Sequence, residues 1–185
     1  MGNNPTVQGI FRFITKILLN KLAKVEIVGY ENLLTAGGFI IAANHLGLLD
    51  PAMIYYLLER NDIIYPVNNK YEKHIIFGPV IRGLGGIFIN KDIPNFASTR
   101  TIFKRLQNGS VLVITPEGMR SPDGSLQKGK PGVAFFASRL NLPIIPIAIT
   151  GTQDKLVLEN FKKSHPLSIK IFIGKKFTLS IYKNK

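Results

Sequence analysis

Cysteine is absent from this chain of 185 residues, and acidic residues are scarce. Without cysteine there is no disulfide bond, no thiolate metal site and no thiol nucleophile, so a covalent intermediate would have to use another side chain. The 24 lysines and arginines outnumber the 11 aspartates and glutamates, which gives a formal net charge of +13. This charge favours anionic partners, either phospholipid headgroups or nucleic acid phosphates.

Long apolar runs are missing as well. No stretch reaches the roughly 18 uninterrupted apolar residues that a transmembrane helix needs, and the N-terminal region lacks the apolar block and cleavage site of a signal peptide. A hydrophobic content of 45% in 185 residues, without repeat or linker, fills one core rather than two. We therefore expect a single globular unit that attaches to a membrane peripherally, from the cytoplasmic side on which it is made.

The N-terminal segment has the pattern of an amphipathic helix. Apolar residues recur at three- and four-residue spacing over residues 7–22, whereas Arg12, Lys16 and Asn20 lie on the opposite face. Such a helix can lie in the membrane interface with its lysines towards anionic headgroups. Alternatively, the apolar stripe packs on the protein's own core or on a partner subunit. We assign residues 1–24 to a membrane-interface helix.

The remaining chain, residues 25–185, alternates between strand and helix patterns and is expected to form one domain. Strands are predicted over residues 25–28, 39–43, 63–67, 87–89, 111–115, 144–149, 168–173 and 177–181. Helices are predicted over residues 51–59, within 72–84, over 96–107 after an Asn95 cap, and over 132–140. The short apolar strands predict an α/β fold with a mixed, largely parallel sheet that helices cover on both faces.

A histidine and a carboxylate stand five positions apart after the second predicted strand, in the sequence NHLGLLD of residues 44–50. Histidine is the side chain best suited to take a proton near neutral pH, and a nearby carboxylate fixes its tautomer. The pair predicts a general base, His45, with its orienting acid, Asp50, acting on a hydroxyl nucleophile. Alternatively, Asp50 is only the N-cap of a helix with Pro51 at its first position, and His45 is a buried structural histidine.

The loops after three predicted strands carry polar pairs, namely His45 with Asp50, Asn90 with Lys91, and Glu117 with Arg120. In a parallel sheet, functional groups gather at the carboxyl ends of the strands. The three loops are therefore expected to converge on one pocket. The alternative for residues 115–121 is a tight turn with an exposed ion pair.

Four motifs in order strengthen the hypothesis of an active site. They are NHLGLLD at 44–50, GGIFINK at 85–91, TPEGMRS at 115–121 and LPIIPI at 142–147, with SPDG at 121–124 and KGKPGVA at 128–134 before the last. Over roughly residues 25–150 the chain resembles the lysophosphatidic acid acyltransferase (1-acylglycerol-3-phosphate acyltransferase) family of glycerolipid acyltransferases. The resemblance implies a glycerol-3-phosphate acyltransferase-like fold. It also implies transfer of a fatty acyl group from acyl-CoA or acyl carrier protein to the free hydroxyl of 1-acylglycerol 3-phosphate, giving phosphatidic acid for phospholipid biosynthesis.

The resemblance further implies roles for individual residues. His45 would take the hydroxyl proton, and Asp50 would hold the imidazole as the second member of the catalytic pair. Arg120 is the leading phosphate ligand because a guanidinium can grip two phosphate oxygens and stays charged. Glu117 would orient Arg120 or accept a hydrogen bond from the glycerol part of the substrate. The phosphate- and glycerol-binding set also includes Lys91 and Gly118, with Asn44, Lys128 and Lys130 as additional candidates.

The chain departs from the family pattern at several positions. Asn90-Lys91 stands where the family usually has Asp-Arg, so the cation is kept and the bidentate fork is lost. Gly47 replaces a frequent serine, Thr115 a frequent aromatic residue and Met119 a frequent threonine. These changes leave the catalytic pair intact and bear on the identity of the acceptor.

We therefore expect a membrane-peripheral acyltransferase whose partners are membrane phospholipids, a lysophospholipid, and acyl-CoA or acyl carrier protein. The chemistry requires no metal or redox cofactor, and the sequence has no convincing ligand cluster for a metal. Two alternatives stay open: an acyltransferase for another acceptor, such as glycerol 3-phosphate or a different lysolipid, and a noncatalytic lipid-binding protein of the same fold. No nucleic acid partner is expected, because no known binding motif or base-stacking platform is present.

Overall fold

The computed structural model describes residues 4–90 and 96–179 of the protein. Within these ranges the helices are α1 (Pro5–Leu22), α2 (Asp50–Leu57), α3 (Phe77–Gly83), α4 (Phe96–Gln107), α5 (Gly132–Leu140) and α6 (Asp154–Lys162). The strands are β1 (Ala23–Val28), β2 (Phe39–Ala43), β3 (Ile63–Asn68), β4 (Gly86–Ile89), β5 (Val111–Ile114), β6 (Ile144–Thr150) and β7 (Leu167–Ile173).

In the described ranges the strands form one sheet of order β1-β7-β6-β2-β5-β3-β4. Neighbouring strands are parallel except for β6 and β7, which run antiparallel. The central strand β2 is a continuous apolar run because both of its faces are covered, and Phe39, Ile40 and Ile41 are fully buried. The prediction of a single α/β domain with a mixed, largely parallel sheet is confirmed.

Two hydrophobic layers enclose the sheet. On one face, Leu19 of α1 and Met53 of α2 belong to the same cluster as Ile41. On the other face, Ile102 of α4 packs in a cluster with Ile40 and with side chains of α5. Successive β2 side chains thus serve opposite layers, as the alternation of a strand requires. Because β5, β2 and β6 are adjacent and parallel, the loops that follow them open on one edge of the sheet.

The C-terminal region differs from the prediction in two places. In place of the predicted strand over residues 177–181, the structure has an isolated bridge between Phe177 and Ile144. The last two residues of that predicted strand lie outside the described ranges. The predicted helix cap Asn95 also lies outside them. Helix α6 is not among the predicted helices. None of its residues is buried, and its apolar residues Leu156, Leu158 and Phe161 are exposed.

Helix α1 docks onto the domain through its polar side. The Gln8 side chain is fully buried and donates to the carbonyl oxygens of Ile63 and Leu84 at 2.9 and 3.0 Å. Further along, Lys16 forms an ion pair with Glu59 at 2.8 Å. Arg12, which donates to the carbonyl of Arg60 at 2.9 Å, and Lys16 belong to the predicted polar face, and that face therefore contacts the domain.

The apolar side of α1 faces outward for most of its length. Between 47% and 66% of the surface is exposed in Ile10, Phe13, Ile14, Ile17 and Leu18. Only part of the apolar stripe packs on the core, where Leu19 is buried and Phe11 and Val7 are partly buried. Among the described residues, no helix combines the length and apolar character needed to span a bilayer.

Candidate active site

The loop that carries His45, residues 44–49, connects the carboxyl end of β2 to α2 and is called the His45 loop. Its first residue, Asn44, donates through Nδ2 to the carbonyl of Ile149 at 2.9 Å and accepts the Ile149 N–H through Oδ1 at 2.7 Å. This reciprocal pair fixes the start of the loop to β6. Asn44 therefore positions the loop, and its role in binding substrate stays a prediction.

The structure brings the predicted His45 and Asp50 into contact. Oδ2 of Asp50 accepts hydrogen bonds from Nδ1 of His45 at 2.7 Å and from the backbone N–H groups of Leu46 and Gly47 at 2.7 and 2.9 Å. Because a carboxylate only accepts, the proton of the neutral imidazole lies on Nδ1 and Nε2 is an acceptor. The His45 side chain is 26% exposed and that of Asp50 only 6%. A buried carboxylate thus orients an imidazole that solvent and ligands can reach.

Thr152 also belongs to this site. It is fully buried, and its hydroxyl donates to Oδ1 of Asp50 at 2.5 Å. The preceding Gly151 has φ +86°, and a Cβ there would lie 2.0 Å from the carbonyl oxygen of Ser168, so only glycine permits this turn after β6. The one local hint in the sequence is a Gly-Thr pair at the end of an apolar strand. The contact spans 102 positions, which no local pattern reveals.

The loop of residues 115–121 follows β5 and reaches the His45 loop. The backbone N–H of Ser121 donates to the carbonyl of His45 at 2.8 Å. Within the 115–121 loop, Gly118 adopts φ +70°. Two of the three loops that were expected to converge therefore meet. Lys91, in the third loop, lies outside the described residues.

Glu117 is buried with only 4% of its surface exposed. Within the described part of the chain, neither of its carboxyl oxygens has a hydrogen-bond partner of good geometry. Burial is the largest influence and raises the pKa of the Glu117 carboxyl; the Gln127 backbone N–H and His45 lower that pKa by less, and the Asp50 carboxylate adds to the rise. Since an unsatisfied buried carboxyl is costly, the position suits a ligand that donates a hydrogen bond.

Arg120 contacts Asp154 and not Glu117. Its guanidinium Nη1 forms an ion pair with Oδ2 of Asp154, the first residue of α6. The prediction that Glu117 orients Arg120 is wrong, because the guanidinium pairs with Asp154 and neither carboxyl oxygen of Glu117 has a hydrogen-bond partner among the described residues. A hydrogen bond from glycerol to Glu117 stays a prediction.

Packing explains why position 47 is glycine. The family that the sequence resembles often has serine there. A Cβ at Gly47 would lie 2.0 Å from the carbonyl oxygen of Thr152 and 2.9 Å from Oδ1 of Asp154. The segment that leads into α6 therefore lies directly on the His45 loop. A side chain at position 47 has no room.

A cavity of about 570 Å³ opens beside Glu117 on the face of the sheet that β2, β6 and β7 share. Apolar side chains of Ala148, Phe172 and Leu126 line it. The predicted basic candidates Lys128 and Lys130 are exposed, and their neighbours Gln127 and Gly129 line the cavity. A Cβ at Gly118 would lie 3.4 Å from Nζ of Lys130, so this lysine is close to the turn that carries Glu117.

Comparison with known proteins gives a consistent set of relatives. A family model described as Acyltransferase matches residues 24–150. The 1-acyl-sn-glycerol-3-phosphate acyltransferase of Bacillus subtilis is 26% identical over 160 residues, which cover 86% of this chain and 76% of that protein. The protein of the same name from Borreliella burgdorferi is 24% identical over 152 residues, 81% of this chain and 60% of that protein.

A solved structure has the same fold. The crystal structure of the 1-acyl-sn-glycerophosphate (LPA) acyltransferase PlsC from Thermotoga maritima matches with a TM-score of 0.75 and 22% sequence identity. The match covers 96% of this chain and 71% of that chain. Thr152 and Asp154 lie just beyond the residues that the family model matches.

Proposed function

The chain belongs to the acyltransferase family, and on that premise we propose that it transfers a fatty acyl group from acyl-CoA or acyl carrier protein to the free hydroxyl of 1-acylglycerol 3-phosphate. The product is phosphatidic acid, and the process is phospholipid biosynthesis. The observation that carries the proposal is the His45 ring, which the buried Asp50 holds at Nδ1 so that Nε2 can accept a proton. Both bacterial relatives are 1-acyl-sn-glycerol-3-phosphate acyltransferases, which supports the choice of acceptor.

In the proposed reaction, Nε2 of His45 removes the proton from the acceptor hydroxyl as that oxygen attacks the thioester carbonyl carbon. A C–O bond forms and the C–S bond breaks. The proton then passes from Nε2 to the leaving sulfur, which departs as a thiol, so the histidine ends as it began. Asp50 stabilises the imidazolium that exists between these transfers. General-base catalysis of this kind is worth roughly 10²- to 10⁴-fold in rate.

Arg120 and Glu117 are proposed to hold the two ends of the acceptor's polar part. Arg120 provides permanent positive charge for the phosphate, and Ser121 N–H fixes its loop to His45. Glu117 provides carboxyl oxygens without a hydrogen-bond partner among the described residues, and these can accept from a glycerol hydroxyl. The cavity beside Glu117 is apolar enough to receive part of an acyl chain.

We further propose that the protein attaches peripherally to the cytoplasmic face of a membrane through the outward apolar side of α1. The end of α3 lies next to the start of α1, where the Asn4 N–H donates to the Gly83 carbonyl at 3.0 Å. Ile75 and Ile76, which precede α3, and Phe77, its first residue, are exposed as well. Exposed apolar side chains with a formal net charge of +13 suit an anionic lipid surface.

An assay on purified protein tests the proposed reaction. We would incubate it with 1-acylglycerol 3-phosphate, other lysolipids or glycerol 3-phosphate, each with acyl-CoA or acyl carrier protein donors, and identify products by mass spectrometry. Phosphatidic acid is expected, and His45→Ala should reduce its formation by at least about 10²-fold. His165→Ala, an exposed histidine outside the site, is the matched control. Turnover of another acceptor alone would replace the proposed substrate; lipid binding without turnover would identify a noncatalytic protein.

A further inference from the structure

Asp154 makes two contacts at the active site that the proposed reaction does not use. Its Oδ1 accepts the backbone N–H of Leu48 in the His45 loop at 2.8 Å. Its Oδ2 forms the ion pair with Nη1 of Arg120. One carboxylate therefore joins the loop that carries the proposed base to the side chain that is proposed to bind phosphate.

Packing around Asp154 fixes its position. The backbone of Thr152 and the carboxylate of Asp154 fill the space where a side chain at position 47 would lie. Thr152 is itself fully buried and donates to Asp50. The segment of residues 152–154 thus contacts the His45 loop through both Thr152 and Asp154.

The ion pair is a poor source of stability. Arg120 and Asp154 have 42% and 47% of their side chains exposed, and an ion pair in water contributes little to folding. An acidic residue beside a phosphate ligand also repels the phosphate. Its position is better explained by what it does to Arg120, a long side chain that would otherwise sample many rotamers.

We propose that Asp154 is a positioning residue that presents Arg120 to the phosphate of the acceptor, an inference that rests on the proposed function. With Nη1 held by Asp154, the edge formed by Nε and Nη2 is directed to grip two phosphate oxygens. Because the same carboxylate binds the Leu48 N–H, the bound phosphate is held at a set distance from His45. Correct spacing between phosphate and base brings the acceptor hydroxyl to Nε2.

A double-mutant cycle tests this role. Asp154→Asn keeps an oxygen that can accept the Leu48 N–H but loses the charge that holds Arg120. We expect the KM for 1-acylglycerol 3-phosphate to rise about 3- to 10-fold, with kcat and the donor KM changed by less than about twofold. In an Arg120→Lys background the same substitution should raise the acceptor KM by less than about twofold, because the fork that Asp154 orients is already gone.

Controls separate this role from others. Glu26→Gln removes the carboxylate of another exposed ion pair, with Lys170 on β7 at 2.8 Å, and should leave every constant unchanged. Equal effects of Asp154→Asn in both backgrounds, a lower acceptor KM, or a loss confined to kcat would each overturn the proposal. Equilibrium binding of 1-acylglycerol 3-phosphate is also measured, without acyl donor, in the wild type, Asp154→Asn, Arg120→Lys and the double variant. If the wild type shows no turnover, the proposed function fails, and the binding cycle still decides the role of Asp154.

Discussion

The hydroxyl of Thr152 donates to Oδ1 of Asp50 at 2.5 Å, while the other oxygen of Asp50 accepts from His45 and two backbone N–H groups. The turn after β6 therefore completes the hydrogen bonding of a carboxylate that begins α2. Both sides of this contact are buried. The orientation of the His45 ring thus depends on a residue more than one hundred positions away in the sequence.

Thr152→Val keeps the shape of the side chain and removes its hydroxyl. The variant leaves Oδ1 of Asp50 buried without that donor, which should cost about 1–3 kcal/mol of folding free energy. We expect kcat to fall roughly 10-fold, because small displacements of a general base are costly. Steady-state kinetics and urea unfolding measure the two effects. Thr152→Ser retains the hydroxyl and should stay near wild type; equal losses in both variants would count against the hydrogen bond as the cause.

The contacts of Thr152 and Asp154 show why part of the site escapes prediction. His45 and Asp50 are separated by five positions, so their pairing follows from local sequence. Thr152 and Asp154 reach the same loop across more than one hundred positions. Their placement depends on the adjacency of β2 and β6 in the sheet, which the sequence pattern of each strand does not specify.

The fold itself is more predictable than the site, apart from α6, the bridge at Phe177 and the orientation of α1. Central strands such as β2 and β5 are short apolar runs because they are buried on both faces, and their sequences alone indicate this. Periodicity in α1 identifies an apolar and a polar side, but it does not say which side meets the domain. Gln8 and Lys16 contact the domain, and Phe13 is exposed. The tertiary partners of a helix decide its orientation.

Gly47→Ser would introduce the serine that is frequent at this position in the acyltransferase family. We expect it to lower both the stability and the activity of this protein. The new Cβ would lie 2.0 Å from the Thr152 carbonyl oxygen, so the turn that carries Thr152 would have to shift. The expected loss is about 2 kcal/mol or more in stability, with at least about 10-fold lower activity. Thermal unfolding and kcat/KM measure these losses.

Gly129→Ser is the matched control for that substitution. Its Cβ would lie 3.4 Å from Cβ of Pro116, an ordinary van der Waals contact in a loop at the same cavity. Its stability should stay within about 0.5 kcal/mol of wild type. A Gly47→Ser protein as stable and active as the control would contradict the prediction, because it would mean that the segment before α6 can shift at little cost in free energy.

Glu117→Gln should give a stability difference that depends on pH. Burial raises the pKa of the Glu117 carboxyl above its ordinary value of 4.5, so the folded state binds the proton more tightly than the unfolded state. Its contribution to stability is therefore present below the ordinary pKa and is lost as the pH rises through the raised value. Glutamine stays neutral throughout.

Relative to wild type, the Glu117→Gln protein should become more stable as the pH rises from about 4 to about 8. Urea unfolding at several pH values measures the difference. At neutral pH the Glu117→Gln protein should also have a higher KM for 1-acylglycerol 3-phosphate than the wild type. The reason is that an amide oxygen accepts a hydrogen bond from the glycerol hydroxyl less strongly than a carboxylate does. A pH-independent difference in unfolding free energy would contradict the effect of burial on this carboxyl.

The outward side of α1 gives the last prediction. Phe13 and Ile17 have 66% and 52% of their surface exposed, so replacing both with serine removes apolar area without opening the core. If these side chains enter the lipid interface, the double variant should bind anionic vesicles about 10- to 100-fold more weakly, with unchanged thermal stability. Vesicle co-sedimentation at low and high salt measures the binding. Leu158→Ser on α6 removes a comparably exposed apolar residue and should leave vesicle binding intact. Equal binding by the α1 variant and the wild type would mean that another surface, such as the start of α3, carries the attachment.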